Sequence, residues 1–527
     1  MKTNSRSVAM VFIVLVLLLT ACSGNKGDTG GKGATATPTA TTNQENGKGE
    51  DNKKEDPVSI KILANFGRAD LTEYEKAFFK KVEEALNIKL DIIIPPASGY
   101  VEQLQLTLVS GDVPDAVFFP SEQDEMFINA VKDGAVIPIN SYLDKSDNLK
   151  AYSYEHSWDA LKTLQDENIY GIPRTSISRN DGFIVRKDWL DKLGIEIPAD
   201  NEVTLEQFNE ILRAFTFDDP DKNNRKDTYG VGSFVDKNKV LQPVLLSELG
   251  HYGWQKADGG EYPYTLPEYD TQGEVYKNIL LYTKKLYEEG SLDPDSPIND
   301  SAAASDRFKQ GVTGVLRGFA GHVNAQEKVL KEINPQAELT YLFVKGPDNK
   351  VQGTGFGTGI WGVWTVTAKS KHPEKVVQVF DYMLSDEGWD YLYYGVEGVD
   401  YTIVNGEKAY KPDVSRGIAT GIMRRHNAPE FFLEPSKFTK EELDRVKPWV
   451  DKAVATVITS LDKGFVPPAA RQPNYMDYKL NWDELTTRMM LGDLPIEQLD
   501  QVRENWYKNG GELFMQEMNE FIKSLPN

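Results

Sequence analysis

The sequence predicts an α/β protein, and three observations carry that reading. Residues 58–119 alternate β-branched runs with amphipathic stretches, and a second alternation begins near Gly182. The 527 residues leave room for two to four domains or lobes, at roughly 100–200 residues each. A chain of this length buries a sizeable core without disulfide or metal staples.

Val58–Ala64 reads as the first strand and ends at Asn65-Phe66-Gly67. Leu71–Asn87 spaces Tyr74, Phe78, Val82 and Leu86 four apart, the apolar stripe of a helix. Ile88–Ile94 is a β-branched-rich run closed by Pro95-Pro96, Tyr100–Val109 is helical, and Ala116–Phe119 is a short strand before Pro120. This order implies parallel pairing with right-handed crossovers. Ligands collect at the carboxyl ends of such strands, which here are Asn65, Phe66, Phe119 and Ser121.

In the second pattern Ile184-Val185 predicts a strand and Lys187–Leu193 a helix stopped by Gly194. Leu205–Phe215 and Glu274–Glu289 are amphipathic helices, and Val312–Leu316 is a buried-type strand. Pro373–Leu384 opens with Pro and Glu374 in its first turn, a good helix start. Glu441–Leu461 and Ile496–Ile522 predict long helices at the end, and no repeat of 20–50 residues is visible.

Charge and cysteine content narrow the function. With 80 acidic against 59 basic residues the net charge is −21, which argues against a nucleic-acid binder and against a domain lying flat on anionic lipid. One cysteine closes no intrachain disulfide and supplies no paired thiolates. Lys2 and Arg6 precede an apolar run, Val8–Leu19, too short for the ~20 residues of a spanning helix but suited to a secretory leader. Leu19-Thr20-Ala21-Cys22 resembles the bacterial lipobox, which implies cleavage after residue 21 and a diacylglycerol on Cys22. The alternative is a plain signal peptide with an incidental cysteine. Residues 22–57 then form a tether with almost nothing apolar to bury, so the acidity belongs to the part from Val58 onward.

Six segments, in order, resemble the extracellular solute-binding proteins of carbohydrate ABC importers. They are Ser110-Gly111-Asp112-Val113-Pro114-Asp115, Ile169-Tyr170-Gly171-Ile172-Pro173, Asp188-Trp189-Leu190-Asp191-Lys192-Leu193-Gly194 and Phe308-Lys309-Gln310-Gly311. Lys371-His372-Pro373-Glu374 with Ser385-Asp386-Glu387-Gly388 is the fifth. The sixth, Gly395-x-Glu397-Gly398-x-Asp400-Tyr401, is similar to the LipO-like Gram-positive lipoprotein branch. The resemblance implies a type II periplasmic-binding-protein-like fold, two α/β lobes with a hinge closing on a ligand. It places the first lobe at 58–175, the second at 176–345, a return to the first at 346–420, and a helical part at 421–527 packing mainly on the second. It also implies a monomeric receptor outside the cytoplasmic membrane, held by its lipid alone, that hands an oligosaccharide to ABC permease subunits.

Asp219-Pro220-Asp221-Lys222-Asn223-Asn224-Arg225-Lys226-Asp227 sets oxygen ligands at positions 1, 3, 5 and 9 of a calcium loop, with the Arg225 carbonyl at position 7. Asn224 stands where the turn glycine belongs and Gly230 where the bidentate Glu belongs. An Asx-rich turn is the alternative. Alginate-binding relatives in this family carry a similar loop, which points to structural calcium at Asp219, Asp221, Asn223, Arg225 and Asp227.

Sugar sites combine flat aromatic platforms with planar polar groups. The candidates are Asn65, Phe66, Phe119, Ser121, Arg174, Phe319, Trp361, Tyr394 and Glu397, and Arg174 or Arg307 is suited to a bidentate grip. Gly353, Gly355, Gly357 and Gly359 precede Trp361 and Trp364 and would let backbone approach a ligand. The five scattered histidines form no H-E-x-x-H, and no P-loop or G-x-S-x-G is present, so no nucleotide or redox cofactor is expected. A surface glycosidase and a sensory receptor of the same fold remain as alternative functions.

Overall fold

The computed structural model describes residues 56–66, 70–95, 99–162, 168–236, 238–257, 259–355, 357–411, 419–428, 433 and 437–525. The expected leader, Cys22 and the expected tether up to residue 55 lie outside these residues.

The first lobe is built on a five-stranded sheet in the order Ile88–Ile93, Val58–Leu63, Ala116–Phe119, Ile360–Val366, Ile172–Thr175. The first three strands pair in parallel, as their alternation with helices predicts. The other two come from far along the chain: Ile360–Val366 runs antiparallel to both its neighbours. The helix Glu73–Leu86 starts two residues later than its apolar stripe suggests, because Thr72 and Glu75 form a capping box. It buries Tyr74, Phe78 and Val82 against the sheet. Ile422, Met423 and Ala428 also belong to this core, so the chain stays on the first lobe past residue 420.

The second lobe carries a mixed sheet in the order Glu202–Val203, Leu339–Val344, Gly182–Arg186, Thr313–Gly318, Tyr229–Val231. Its central strand, Gly182–Arg186, is antiparallel to both neighbours and buried along its whole length. Trp189, Phe208 and Phe215 pack beneath it, the last two from the helix Leu205–Phe217, which opens with a Thr204/Gln207 capping box.

The C-terminal helices depart from the sequence expectation at two points. The stretch 441–461 is helical only over Lys440–Ala455 and then extends as Val457–Ile458, which pairs with Gly353–Thr354. The stretch 496–522 is broken between Leu499–Trp506 and Glu512–Ser524, where Gly510 takes φ +108°. A Cβ on Gly511 would stand 2.3 Å from the Trp506 ring. This break lets Trp506 stack on Tyr269 at 3.7 Å, within a cluster that includes Trp482, Tyr475 and Phe514. Much of the chain's aromatic content is thus spent on a core.

Candidate functional site

Two chain segments cross between the sheets and meet. Residues 176–181 lead from strand Ile172–Thr175 to strand Gly182–Arg186, and residues 345–359 lead back. Ser176 N–H donates to the Gly359 carbonyl at 2.8 Å, and the pairing of Gly353–Thr354 with Val457–Ile458 adds a third strand of chain. A cavity of 310 Å³ opens beside these crossings, lined by Arg179 and Asp181 from one, Thr354 from the other, and His251 and Arg317 from the second lobe.

The glycine-rich run has a different role from the one its composition suggests. A Cβ on Gly353 would lie 1.8 Å from Asn180 Oδ1, and one on Gly355 2.1 Å from Ser178 Oγ. These glycines let the two crossings lie against each other, where the sequence suggested close approach to a ligand.

Trp361 is the aromatic group that the strand presents to solvent. Along Ile360–Val366 every other residue is buried while Trp361 is 42% exposed. The cause is a register shift between Ile360 and Val363 in the pairing with Ile172–Thr175. Gly362 supplies the backbone freedom for it at φ +113°, where an added Cβ would stand 2.1 Å from Phe118 Cζ.

Arg174, on the facing strand, donates from Nε to the Trp361 carbonyl at 2.7 Å. Its guanidinium lies 4.9 Å from the Phe118 ring centroid and 5.6 Å from that of Trp361. Arg424 sits over the same indole at 4.4 Å. Arg179, in the first crossing, lies 4.5 Å over Phe319 of the second lobe and pairs with Asp181 at 2.9 Å. Burial pulls the Arg424 guanidinium well below the usual arginine range, helped by the charges of Arg174 and Arg179. Burial alone brings Arg174 down to about 10, so it stays charged at neutral pH.

At the cavity, His251 pairs with Glu268 at 2.9 Å. Burial pulls this imidazole down, but the charge and hydrogen bond of Glu268 outweigh it and raise the histidine above its ordinary value. Arg317 bonds both carboxylate oxygens of Glu248 at 3.1 Å, and that charge keeps it protonated despite burial.

The structure thus brings together Arg174, Trp361 and, through Arg179, Phe319. Phe66 and Phe119 are not platforms: Phe66 packs at 6.4 Å on Phe79, and Phe119 at 5.4 Å on Phe127, both inside the first core. Trp364 is likewise buried, its indole N–H donating to the Ile422 carbonyl. Asn65 is half-buried at its strand end. Ser121 accepts from Gln123 N–H and donates to the buried Glu122 at 3.2 Å. Tyr394 lies under the Lys408 ammonium at 3.9 Å, at the hairpin Tyr401–Tyr410, and Glu397 is exposed in the turn before it. Arg307 is bound to Asp293 and Asp295. Sequence reasoning missed Arg179, which the crossing position signals, and Arg424, which carries no local signal at all.

In the 219–227 loop, Asn224 adopts φ +60°, the left-handed turn that a glycine usually supplies. Asn223 N–H donates to Asp219 at 3.0 Å and its side-chain amide to Asp221 at 2.8 Å and Asp227 at 3.1 Å. The Arg225 side chain pairs with Asp227. Burial, with the neighbouring Asp219 and Asp227, raises the Asp221 carboxyl above the usual carboxylate range. Hard-cation donors share one turn here, but they bind their own loop. Among the described residues no group of three or more His, Cys, Asp or Glu is gathered to hold a metal.

Two α/β lobes joined by crossing segments, with aromatic and cationic groups at their junction, define a ligand-capturing receptor. The chain belongs to the bacterial extracellular solute-binding protein family, whose model matches residues 68–388. It is 26% identical over 461 residues to the polygalacturonan/rhamnogalacturonan-binding protein YtcQ of Bacillus subtilis, covering 84% of this chain and 87% of that one. It is also 26% identical over 491 residues to lipoprotein LipO of the same organism, covering 88% and 92%. Among solved structures, an EF-hand mutant of the Streptococcus pneumoniae ABC-transporter substrate-binding protein FusA, in complex with fructo-nystose, shares the fold. Its TM-score is 0.62 at 16% identity, covering 88% of this chain and 99% of that one.

Proposed function

We propose that this protein is a lipid-anchored receptor that captures an oligosaccharide between its lobes and delivers it to an ABC permease, with ATP hydrolysis left to a separate subunit. The observation that carries this reading is Trp361, turned out to solvent at the junction of the first sheet with both crossings and flanked by two guanidinium groups. An indole face matches the C–H face of a sugar ring, and guanidinium groups match its oxygens. Family membership and two polysaccharide- or oligosaccharide-binding relatives support it. Titration of intrinsic tryptophan fluorescence with kestose, oligogalacturonates and other oligosaccharides is expected to show saturable binding without product. Trp361→Ala is expected to weaken that binding at least tenfold. Turnover of any of these glycans sinks the receptor reading in favour of a processing enzyme.

The anchor is proposed on Cys22, supported by the lipobox-like Leu19–Cys22 and by the LipO relative. Cys22→Ala expressed in a Gram-positive host is expected to move the protein from the membrane to the soluble fraction; retention on the membrane refutes the anchor.

A structural calcium ion is proposed at the 219–227 loop. The support is the run of three Asp and one Asn within a turn already closed by Asn224, and an EF-hand in the FusA relative. A chelator is expected to lower Tm by several degrees and calcium to restore it, with Asp221→Asn removing the response. A Tm unmoved by chelator and by readdition removes the ion from the account.

A further inference from the structure

The chain carries a net charge of −21, yet the junction of its lobes gathers three arginines. Arg174 and Arg424 share the indole of Trp361. Arg179 reaches in from the crossing segment, close enough for its charge to be felt at Arg424. Like charges repel, and a half-buried cation still costs free energy unless a counter-charge is supplied. Arg179 has Asp181. Arg174 has, among the described residues, no acidic partner: its side chain donates from Nε to a backbone carbonyl. Its two terminal nitrogens are therefore left for a ligand.

Three arginines of the second lobe are handled differently. Arg186 is matched bidentately by Asp188, Arg317 by Glu248, and Arg307 by Asp293. In a protein with acidic residues to spare, each of these cations was given a carboxylate. Arg174, beside the exposed indole, meets a backbone carbonyl instead.

We propose that the oligosaccharide taken by this cleft carries carboxylates, and that Arg174, with Arg424, grips a uronate carboxylate while Trp361 stacks on a sugar ring. A guanidinium fork fits a carboxylate through two parallel N–H···O bonds, which a hydroxyl does not match in strength. The acidic outer surface opposes a polyanion only over a Debye length of about 8 Å at physiological salt, so the local cluster decides. This inference rests on the receptor reading of the same site and names its ligand class.

The test uses the full mature chain and calorimetric titration with three probe sets: trimers of galacturonate, mannuronate and glucuronate, the methyl esters of the same trimers, and kestose. At least one acidic trimer is expected to bind at least tenfold more tightly than its own methyl ester, with affinity falling as salt rises. Arg174→Gln is expected to lose at least tenfold more affinity for the acid than for its ester; equal losses for both would give Arg174 a merely packing role and overturn its part in the uronate grip. The acid-against-ester comparison needs no variant, so it stands even if Arg174→Gln folds poorly, and Arg424→Gln repeats the test on the partner group. Equal affinity for acid and ester, or binding of kestose with none of the acids, overturns the uronate inference and leaves the oligosaccharide receptor intact. Binding of none of the probes overturns the receptor reading itself.

Discussion

Asp188→Ala is expected to destabilise the second lobe by about 3–5 kcal/mol, the cost of stranding a buried cation. Arg186 ends the central strand of that lobe's sheet with only 2% of its side chain exposed. Its Nε and Nη2 each meet an oxygen of Asp188 at 2.8 Å, and its guanidinium lies 4.4 Å over the Trp189 ring. Removing the carboxylate leaves that charge in a site sealed by Trp189, with Lys192 at the rim losing its own interaction at 3.7 Å. The measurement is the denaturation midpoint of single and double variants. Arg186→Met combined with Asp188→Ala is expected to recover part of the loss, because two apolar groups leave no unpaired charge behind. A loss below about 1 kcal/mol for the single variant would mean that water reaches the guanidinium and that the pair is not sealed.

Gly362→Ala is expected to cost about 2–6 kcal/mol, the sum of two separate penalties. Its φ of +113° lies outside the left-handed region that other residues reach, a strain of about 1–3 kcal/mol. A Cβ would also stand 2.1 Å from Phe118 Cζ, and that ring is held between the Trp364 ring at 5.0 Å and the Arg174 guanidinium. Overpacking of this kind adds about 1–3 kcal/mol. Relief requires the bulge to flatten, which turns Trp361 inward, so oligosaccharide binding should fall with stability. Gly357→Ala is the control: its nearest neighbour is 3.6 Å away, and it is expected to change Tm by less than a degree. If Gly362→Ala behaves like Gly357→Ala, the bulge does not depend on the glycine.

Asp188 and Trp189 show how a local pattern can be legible while its purpose is not. The Asp188–Gly194 segment reads in sequence as a short helix with a family likeness, and the structure has that helix at Lys187–Leu193. That Asp188 neutralises Arg186 follows from a strand ending as the helix begins, which no periodicity announces. The long-range partners were still less visible. The strand Ile360–Val366 joins the first sheet some 240 residues after Ala116–Phe119 (about one lobe later), and only its pairing register reveals which of its aromatic side chains is turned out.

The sequence by itself determined the α/β class, most helix and strand positions in the first lobe, the lipobox-like cysteine and the family. All of these depend on spacing along the chain, which hydrophobic period, caps and turn residues encode locally. The tertiary structure decided which candidates form the site. Phe119 ends buried because its strand lies inside the sheet and Phe66 because it packs on Phe79, while Trp361 is exposed beside a register shift at Gly362. Arg424 joins Arg174 on that indole across 250 residues of chain, and only the folded chain brings their charges together.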